Sequence, residues 1–213
     1  MANLREEKKL WRRGYKLVAG LDEVGRGPLA GPVVAVAVVV KTAKNSKLLG
    51  GIRDSKKTTK KRREEIYKIL TTSPDIIWGW GRVYPKVIDR INIWQATKLA
   101  MKRALMQAQS KLKRNIDFVI LDGKMKLNLP ILQKSIVKAD EKVFSCAAAS
   151  IIAKVKRDKI MERYHKKYPH YGFLNHKGYG TKSHLKNIDE FGASKIHRKT
   201  FAPLARSYQQ KRR

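Results

Sequence analysis

Acid is what this 213-residue chain has least of for its size: 17 Asp and Glu stand against 49 Lys and Arg, a formal net charge of +32. The excess runs along the whole sequence, so the partner it selects is a polyanion. Nucleic acid is the usual partner, because each phosphate neutralised releases condensed counterions. A membrane surface competes as a polyanion, but no basic amphipathic segment with a strong aromatic face stands apart from the core pattern. Cysteine is nearly absent as well. The single Cys146 excludes an internal disulfide and a cysteine zinc site, and its setting in FSCAAASIIA is that of a small buried hydrophobe. The longest apolar run, PVVAVAVVV from Pro32 to Val40, is too short to span a bilayer, and MANLREEKKLWRRGYK lacks the apolar block of a signal peptide. A cytoplasmic location, with no membrane partner, is the expectation. Internal repeats and low-complexity blocks are missing too, which excludes a solenoid and a disordered basic protein.

What is present suits one sizeable core, at 42% hydrophobic residues, with a small appendage. YKLVAGLDEV and GPVVAVAVVV read as an antiparallel pair of Val-rich strands, and DIIWGWGRVY as a third. Helices are predicted from about Thr59, with Ile66, Ile69 and Leu70 inward, and over YPKVIDRINIWQATKLAMKRALMQAQSKL, with Ile88, Ile91, Trp94, Ala100, Met101, Leu105 and Ala108 inward. Trp78, Trp80 and Trp94 are read as core. IDFVILDGK is a buried strand, LQKSIVKAD a shorter one, and Glu141 to about Lys167 a helix with small residues against the sheet. The pattern predicts an α/β fold with a mixed sheet: a catalytic unit over 1–168, then a helical and loop region over 169–213 ending in a basic frayed tail.

Against that basic background, the placement of the acids carries the chemistry. Asp22, Asp122 and Asp140 each follow an apolar strand segment, in VAGLD, FVILD and SIVKAD, and Glu23 adjoins the first. Carboxylates gathered at neighbouring strand ends need a cation, and hard divalent ions such as Mg²⁺ or Mn²⁺ match oxygen ligands. In a chain built for nucleic acid, such a pocket points to phosphodiester chemistry. Successive strand residues face opposite ways, so Asp22 and Glu23 share a site only if the strand stops there; Gly25 and Gly27 supply the break and set Arg26 on a tight turn. Plainer readings coexist: each Asp can be a turn or cap residue, Asp140 above all, and the Asp-Glu pair can simply bond Arg26. Asp158 reads as a surface ion-pair partner of Lys154, or as a support to the site. The five histidines show no metal spacing.

GLDEVGRGPLAGPVVAVAVV, RDSKK, INIWQATKLAMKRAL, VILDG, AAASIIAKVKRD and YGFLNHKGYGTKSHL with HRKTFAPL resemble ribonuclease HII, in order and over nearly the whole chain. The resemblance implies a ribonuclease H-like five-stranded mixed sheet flanked by helices, and an endonuclease that cuts the RNA strand of RNA/DNA hybrids. It also implies incision at single ribonucleotides in duplex DNA, as in ribonucleotide excision repair, leaving 5′-phosphate and 3′-hydroxyl ends. It implies metal binding by Asp22, Glu23, Asp122 and Asp140, read here as two Mg²⁺ or Mn²⁺ ions, with Asp22 the candidate bridging ligand because its strand is expected at the sheet centre. Gly25, Arg26 and Gly27 then read the ribose 2′-hydroxyl, Tyr179 stacks near the following deoxyribose, and Lys56 contacts phosphate. Ala139 stands where the family has Gly, a change tolerated unless that backbone needs positive φ. RSYQQKRR lacks the paired aromatics of a clamp-binding tail, so it gives no ground for a sliding-clamp partner, and a monomer is the expectation. Two other readings remain: a non-catalytic basic RNA-binding protein, and a ribonuclease of the HI or HIII type without junction selectivity.

Overall fold

VVAVAVVV is β-branched at six of its eight positions, and all eight are buried over Val33–Val40. A strand apolar on both faces belongs inside a sheet covered on both sides. The computed structural model describes residues 2–41 and 59–205 and places this strand, β2, next to the centre of a five-stranded sheet. The others are β1 (Val18–Val24), β3 (Ile76–Val83), β4 (Phe118–Asp122) and β5 (Leu132–Ile136), in the order β3-β2-β1-β4-β5. β2 runs antiparallel to β1 and β3, while β4 is parallel to β1 and β5. The expected mixed five-stranded sheet is therefore present.

Strand alternation divides the core into two layers. Ala19, Leu21, Ala35 and Ala37 pack against Ala96, Ala100, Met101 and Leu105 of α3 (Pro85–Leu112). Val34, Val36 and Val38 face the other way, onto α2 (Lys60–Thr72) and the small residues of α5 (Phe144–Lys167). A short α1 (Arg5–Arg12) sends the buried Glu7 to the start of α5, where its carboxylate accepts from Ser145 N (2.9 Å) and Oγ (2.8 Å). A residue 138 positions away thus caps that helix. The outer edge of β3 is also covered. Trp80 N donates to Gln107 (2.8 Å), and Arg103 and Lys111 donate to the carbonyls of Arg82 and Trp78 (both 2.7 Å), so α3 satisfies backbone groups an edge strand leaves open.

Several elements differ from expectation for physical reasons. Ile69 is exposed, because α2 turns only Ile66 and Leu70 inward. α3 breaks at Asn92 (φ 63°), whose side chain accepts from Gln95 N (3.0 Å) and so caps a restarted helix. Trp94, in the first turn of the restarted helix, is 40% exposed rather than in the core, while Trp78 and Trp80 do pack against the core. The helix expected from Glu141 is two, α4 (Ala139–Lys142) and α5, divided by the extended Val143. Asp158 is buried, not on the surface, although its pairing with Lys154 holds at 2.9 Å.

After α5 come a 3₁₀ turn (Pro169–Tyr171), α6 (Phe173–His176) and α7 (Lys182–Phe191). Ala30 and Met161 join Tyr171, Phe173 and Ile196 in a small core beneath them. The strands' exit loop is stitched to this region through Leu29 N to Gly178 O (2.8 Å), Gly31 N to Ile196 O (2.9 Å) and Arg198 N to Leu29 O (2.8 Å). Among the described residues, no helix is long and apolar enough to cross a membrane.

Candidate active site

Leu21 pairs with Leu121, so Asp22 and Asp122 stand next in line on adjacent parallel strands. Asp140 reaches them by another route. β5 ends at Ile136, and Asp140 lies in the first turn of α4 rather than at a strand end as expected. Asp122 itself secures that turn: its Oδ1 accepts from Ala139 N at 2.6 Å. The left-handed residue there is Lys138 (φ 58°), not Ala139, so the Gly-to-Ala departure strains nothing. Carboxylate oxygens of Asp22, Asp122 and Asp140 all lie within 4.8 Å of one another.

Glu23 stands apart from this set. β1 continues through it, pairing Glu23 with Ala35, so the strand does not stop at Asp22 and the two side chains leave on opposite faces. Glu23 bonds Arg26 at 3.2 Å, the plainer of the sequence-based alternatives. Its charge is still felt. Burial, then Glu23, then Asp122 raise the Asp22 carboxyl well above the usual range, against a lowering hydrogen bond from Ser150. Burial also raises Glu23, opposed by Arg26 and reinforced by Asp122. Three clustered carboxylates, two of them buried, make an all-oxygen donor set whose repulsion a divalent cation relieves, so the residues present fit Mg²⁺ or Mn²⁺.

The loop beyond β1 is held by two buried arginines that sequence reasoning did not single out. Arg198 donates to the carbonyls of Gly25 (2.5 Å), Arg26 (2.7 Å) and Gly31 (2.9 and 3.1 Å). Arg157 donates to those of Pro32 (3.0 Å), Ala30 (3.0 Å) and Lys177 (2.9 Å). Burial lowers Arg198 to about 9 and Arg157 to about 10, which leaves both charged at neutral pH. Their only sequence signal was membership of the HRKTF and KVKRD blocks.

Gly25 and Gly27 differ in kind. Gly25 has φ 88°, and a Cβ there would collide with Arg157; a Cβ on Gly27 would meet only Tyr179, at 3.7 Å. Tyr179 is half exposed beside it, and Arg26 lies over the exposed Trp94 ring at 5.2 Å. Tyr179 is anchored by its backbone. His184 Nδ1 donates to its carbonyl (2.8 Å), which makes His184 Nε2 the acceptor from His197 Nε2 (3.1 Å). His197 Nδ1 in turn accepts from Ser194 N (2.9 Å) and Oγ (2.8 Å). Burial first, then their histidine neighbours, lower both imidazoles to about 4, as this neutral relay requires. Lys56 and the tail from 206 lie outside the described residues.

Among known proteins, the model of the family described as Ribonuclease HII matches residues 19–204. The chain belongs to the ribonuclease HII family. Ribonuclease HII of Enterococcus faecalis is 48% identical over 198 residues, covering 93% of this chain and 74% of that one. The Chlamydia caviae ribonuclease HII is also 48% identical, over 200 residues, covering 93% and 90%. Among solved structures, ribonuclease H2 from Pyrococcus horikoshii superposes with a TM-score of 0.75 at 26% identity, covering 92% of this chain and 99% of that one. The chain is thus a hydrolase, a ribonuclease H, with the ribonuclease H-like fold of its family.

Proposed function

We propose that the protein is a metal-dependent endonuclease that cuts the RNA strand of RNA/DNA hybrids and incises duplex DNA at single ribonucleotides, leaving 5′-phosphate and 3′-hydroxyl ends. The observation that carries this reading is the meeting of Asp22, Asp122 and Asp140 within 4.8 Å in a chain of net charge +32. A fixed cluster of carboxylates repels phosphate, so its presence in a polyanion-binding protein makes sense through cations bound between them.

Asp22, Asp122 and Asp140 would hold two Mg²⁺ or Mn²⁺ ions, while Glu23, on the other face of β1 and paired with Arg26, would act on them through its charge. Ions in that position supply activation of a water for in-line attack on phosphorus and stabilisation of charge on the departing 3′ oxygen. The remaining work belongs to the chain. Arg198 and Arg157 take up carbonyl oxygens of the Gly25 to Pro32 loop, which presents the open Gly27 to the sugar-phosphate backbone. Glu23 orients Arg26. Tyr179, beside Gly27, offers its ring to the next sugar, where a deoxyribose fits and a 2′-hydroxyl crowds.

The test is incubation with Mg²⁺ or Mn²⁺ and two substrates, a continuous hybrid and a DNA duplex carrying one ribonucleotide. Cleavage of both, with a cut 5′ of the lone ribonucleotide, supports the proposal. Cleavage of the hybrid alone favours a HI- or HIII-type specificity, and binding without cleavage would leave a basic RNA-binding protein.

A further inference from the structure

A second concentration of charge lies away from the carboxylates. Trp78, Trp80 and Arg82 alternate along β3 onto the face that α5 covers, and there Arg82, Lys156, Lys159, Arg163 and Lys166 line a groove of about 510 Å³ with Trp80. Five cations meet one acid, Glu162, which is engaged by Lys60 (2.7 Å) and Lys177 (3.7 Å). Burial and the nearby Arg163 press the Lys156 ammonium below its usual value, and burial and Lys156 do the same to Lys111. Like charges held this close, partly dehydrated, are stabilised by an external anion.

The arrangement of the aromatic rings identifies which part of a nucleic acid fits. Lys111 and Lys156 lie over Trp78 at 4.3 and 5.0 Å, and Lys156 and Arg82 over Trp80, both at 5.0 Å. Both rings are partly buried against the core and carry cations, so what the groove presents is charge, which suits phosphates better than stacked bases. Its position separates it from the carboxylates. Asp22 stands across from Val36 and Val36 across from Trp80, two strand spacings or roughly 10 Å of sheet. α5 links the two places: Ser150 bonds the Asp22 carboxylate, and six residues on, Lys156 lies over Trp80.

We propose that this groove is a second nucleic-acid contact that holds the phosphate backbone of the duplex flanking the cleaved strand. It rests on the reading of the protein as a nuclease acting on duplexes, and it gives part of the large net charge a specific use. The test compares the unaltered protein with the triple variant Lys156→Gln, Arg163→Gln, Lys166→Gln, on duplexes of about 10 and about 30 base pairs with the same cleavable site, over a range of salt. On the long duplex the triple variant should bind about tenfold more weakly at low salt, with a log-log salt slope shallower by about 2 to 3, since each phosphate contact contributes about 0.9. Lengthening the duplex should then gain it less affinity than it gains the unaltered protein. Its kcat at saturation should hold, and its melting temperature should hold or rise as repulsion is relieved. Equal affinities of the two proteins for the long duplex, or an equal loss on both lengths, would overturn the second contact. The double variant Arg163→Glu, Lys166→Glu should show the same pattern more strongly. Failure of the unaltered protein to cleave any duplex would instead refute the nuclease reading on which the proposal stands.

Discussion

The guanidinium of Arg198 reaches 173 positions back along the chain to the carbonyl oxygen of Gly25, at 2.5 Å. With its bonds to Arg26 and Gly31 it satisfies three backbone carbonyls from one planar group, and Arg157 does the same for three others. Arg198→Lys keeps the charge but cannot match that fork, and Arg198→Ala leaves buried carbonyls without partners. Both variants should lose roughly 2–4 kcal/mol of stability by denaturant unfolding, Ala the more, and cleavage should fall with them. Unchanged stability in Arg198→Ala would show that the loop holds its shape without this residue.

These two arginines mark a limit of what the sequence reveals. Strand and helix periodicity carried the mixed sheet and put Asp22 and Asp122 at the ends of apolar strands; that those strands are neighbours, and that the core divides into two layers, came with the structure. Periodicity did not show that Asp140 arrives on a helical turn, because SIVKAD reads as a strand while Lys138 takes a left-handed backbone instead. Nor did it show that Arg157 and Arg198 are buried. In a chain with 49 basic residues, two that turn inward look like the 47 others until the acceptors they meet are known. Trp94 misled for another reason: it shares the helical face of the buried Met101, but it lies in the first turn of the segment that restarts after Asn92 and is 40% exposed, because spacing fixes a helix face and not how far along the helix the core extends.

The two loop glycines should respond differently to the same change. Gly25→Ala meets Arg157 and a left-handed backbone, so its melting temperature should drop by several degrees along with activity. Gly27→Ala has room, so it should fold normally and lose cleavage of both the hybrid and the single-ribonucleotide duplex, because the added methyl stands where the substrate backbone approaches. Normal cleavage by a well-folded Gly27→Ala would remove this loop from substrate reading.

Asp122→Asn preserves the shape of the side chain and can still accept from Ala139 N, so the Asp140 turn should survive. Cleavage should fall by at least about a hundredfold, while binding of an uncleaved hybrid holds or tightens as phosphate repulsion is relieved. Thermal stabilisation by Mn²⁺ should be lost in parallel. Near-normal turnover with this variant would dismiss Asp122 as a ligand.

His184 and His197 carry a pH dependence of stability that can be read separately from activity. In the fold they protonate at about 4 against 6.5 when free, so between those values the unfolded chain binds more protons and stability falls as the pH falls. Above 6.5 this source contributes no slope. Asp22, Glu23 and Glu7, raised by burial, act in the opposite sense, so the imidazole part is the difference between the native protein and a variant. His197→Gln should be less stable at neutral pH yet flatter in melting temperature from about pH 7 to about pH 4.5. Parallel curves would place the acid sensitivity elsewhere.

Tyr179 separates the two reading elements proposed for the junction. Its ring is half exposed beside Gly27, and its backbone carbonyl is fixed by the neutral His184 and His197 relay, so removing the ring leaves the loop in place. If the ring tests the sugar that follows the ribonucleotide, its work is packing rather than hydrogen bonding, because a flat ring fits a deoxyribose and a 2′-hydroxyl crowds it. Tyr179→Phe should therefore keep most of the preference for a lone ribonucleotide. Tyr179→Ala should lose far more on that substrate than on a continuous hybrid, by about tenfold or more, equivalent to about 1.4 kcal/mol of transition-state stabilisation. The measurement is kcat/KM for each variant on both duplexes. The backbone anchor predicts a further distinction: His184→Ala should let the segment shift and hurt both substrates, since Gly27 and Tyr179 then lose their common geometry. If Tyr179→Ala slows the two substrates equally, the tyrosine serves general binding and the discrimination lies with Arg26 and its glycines alone.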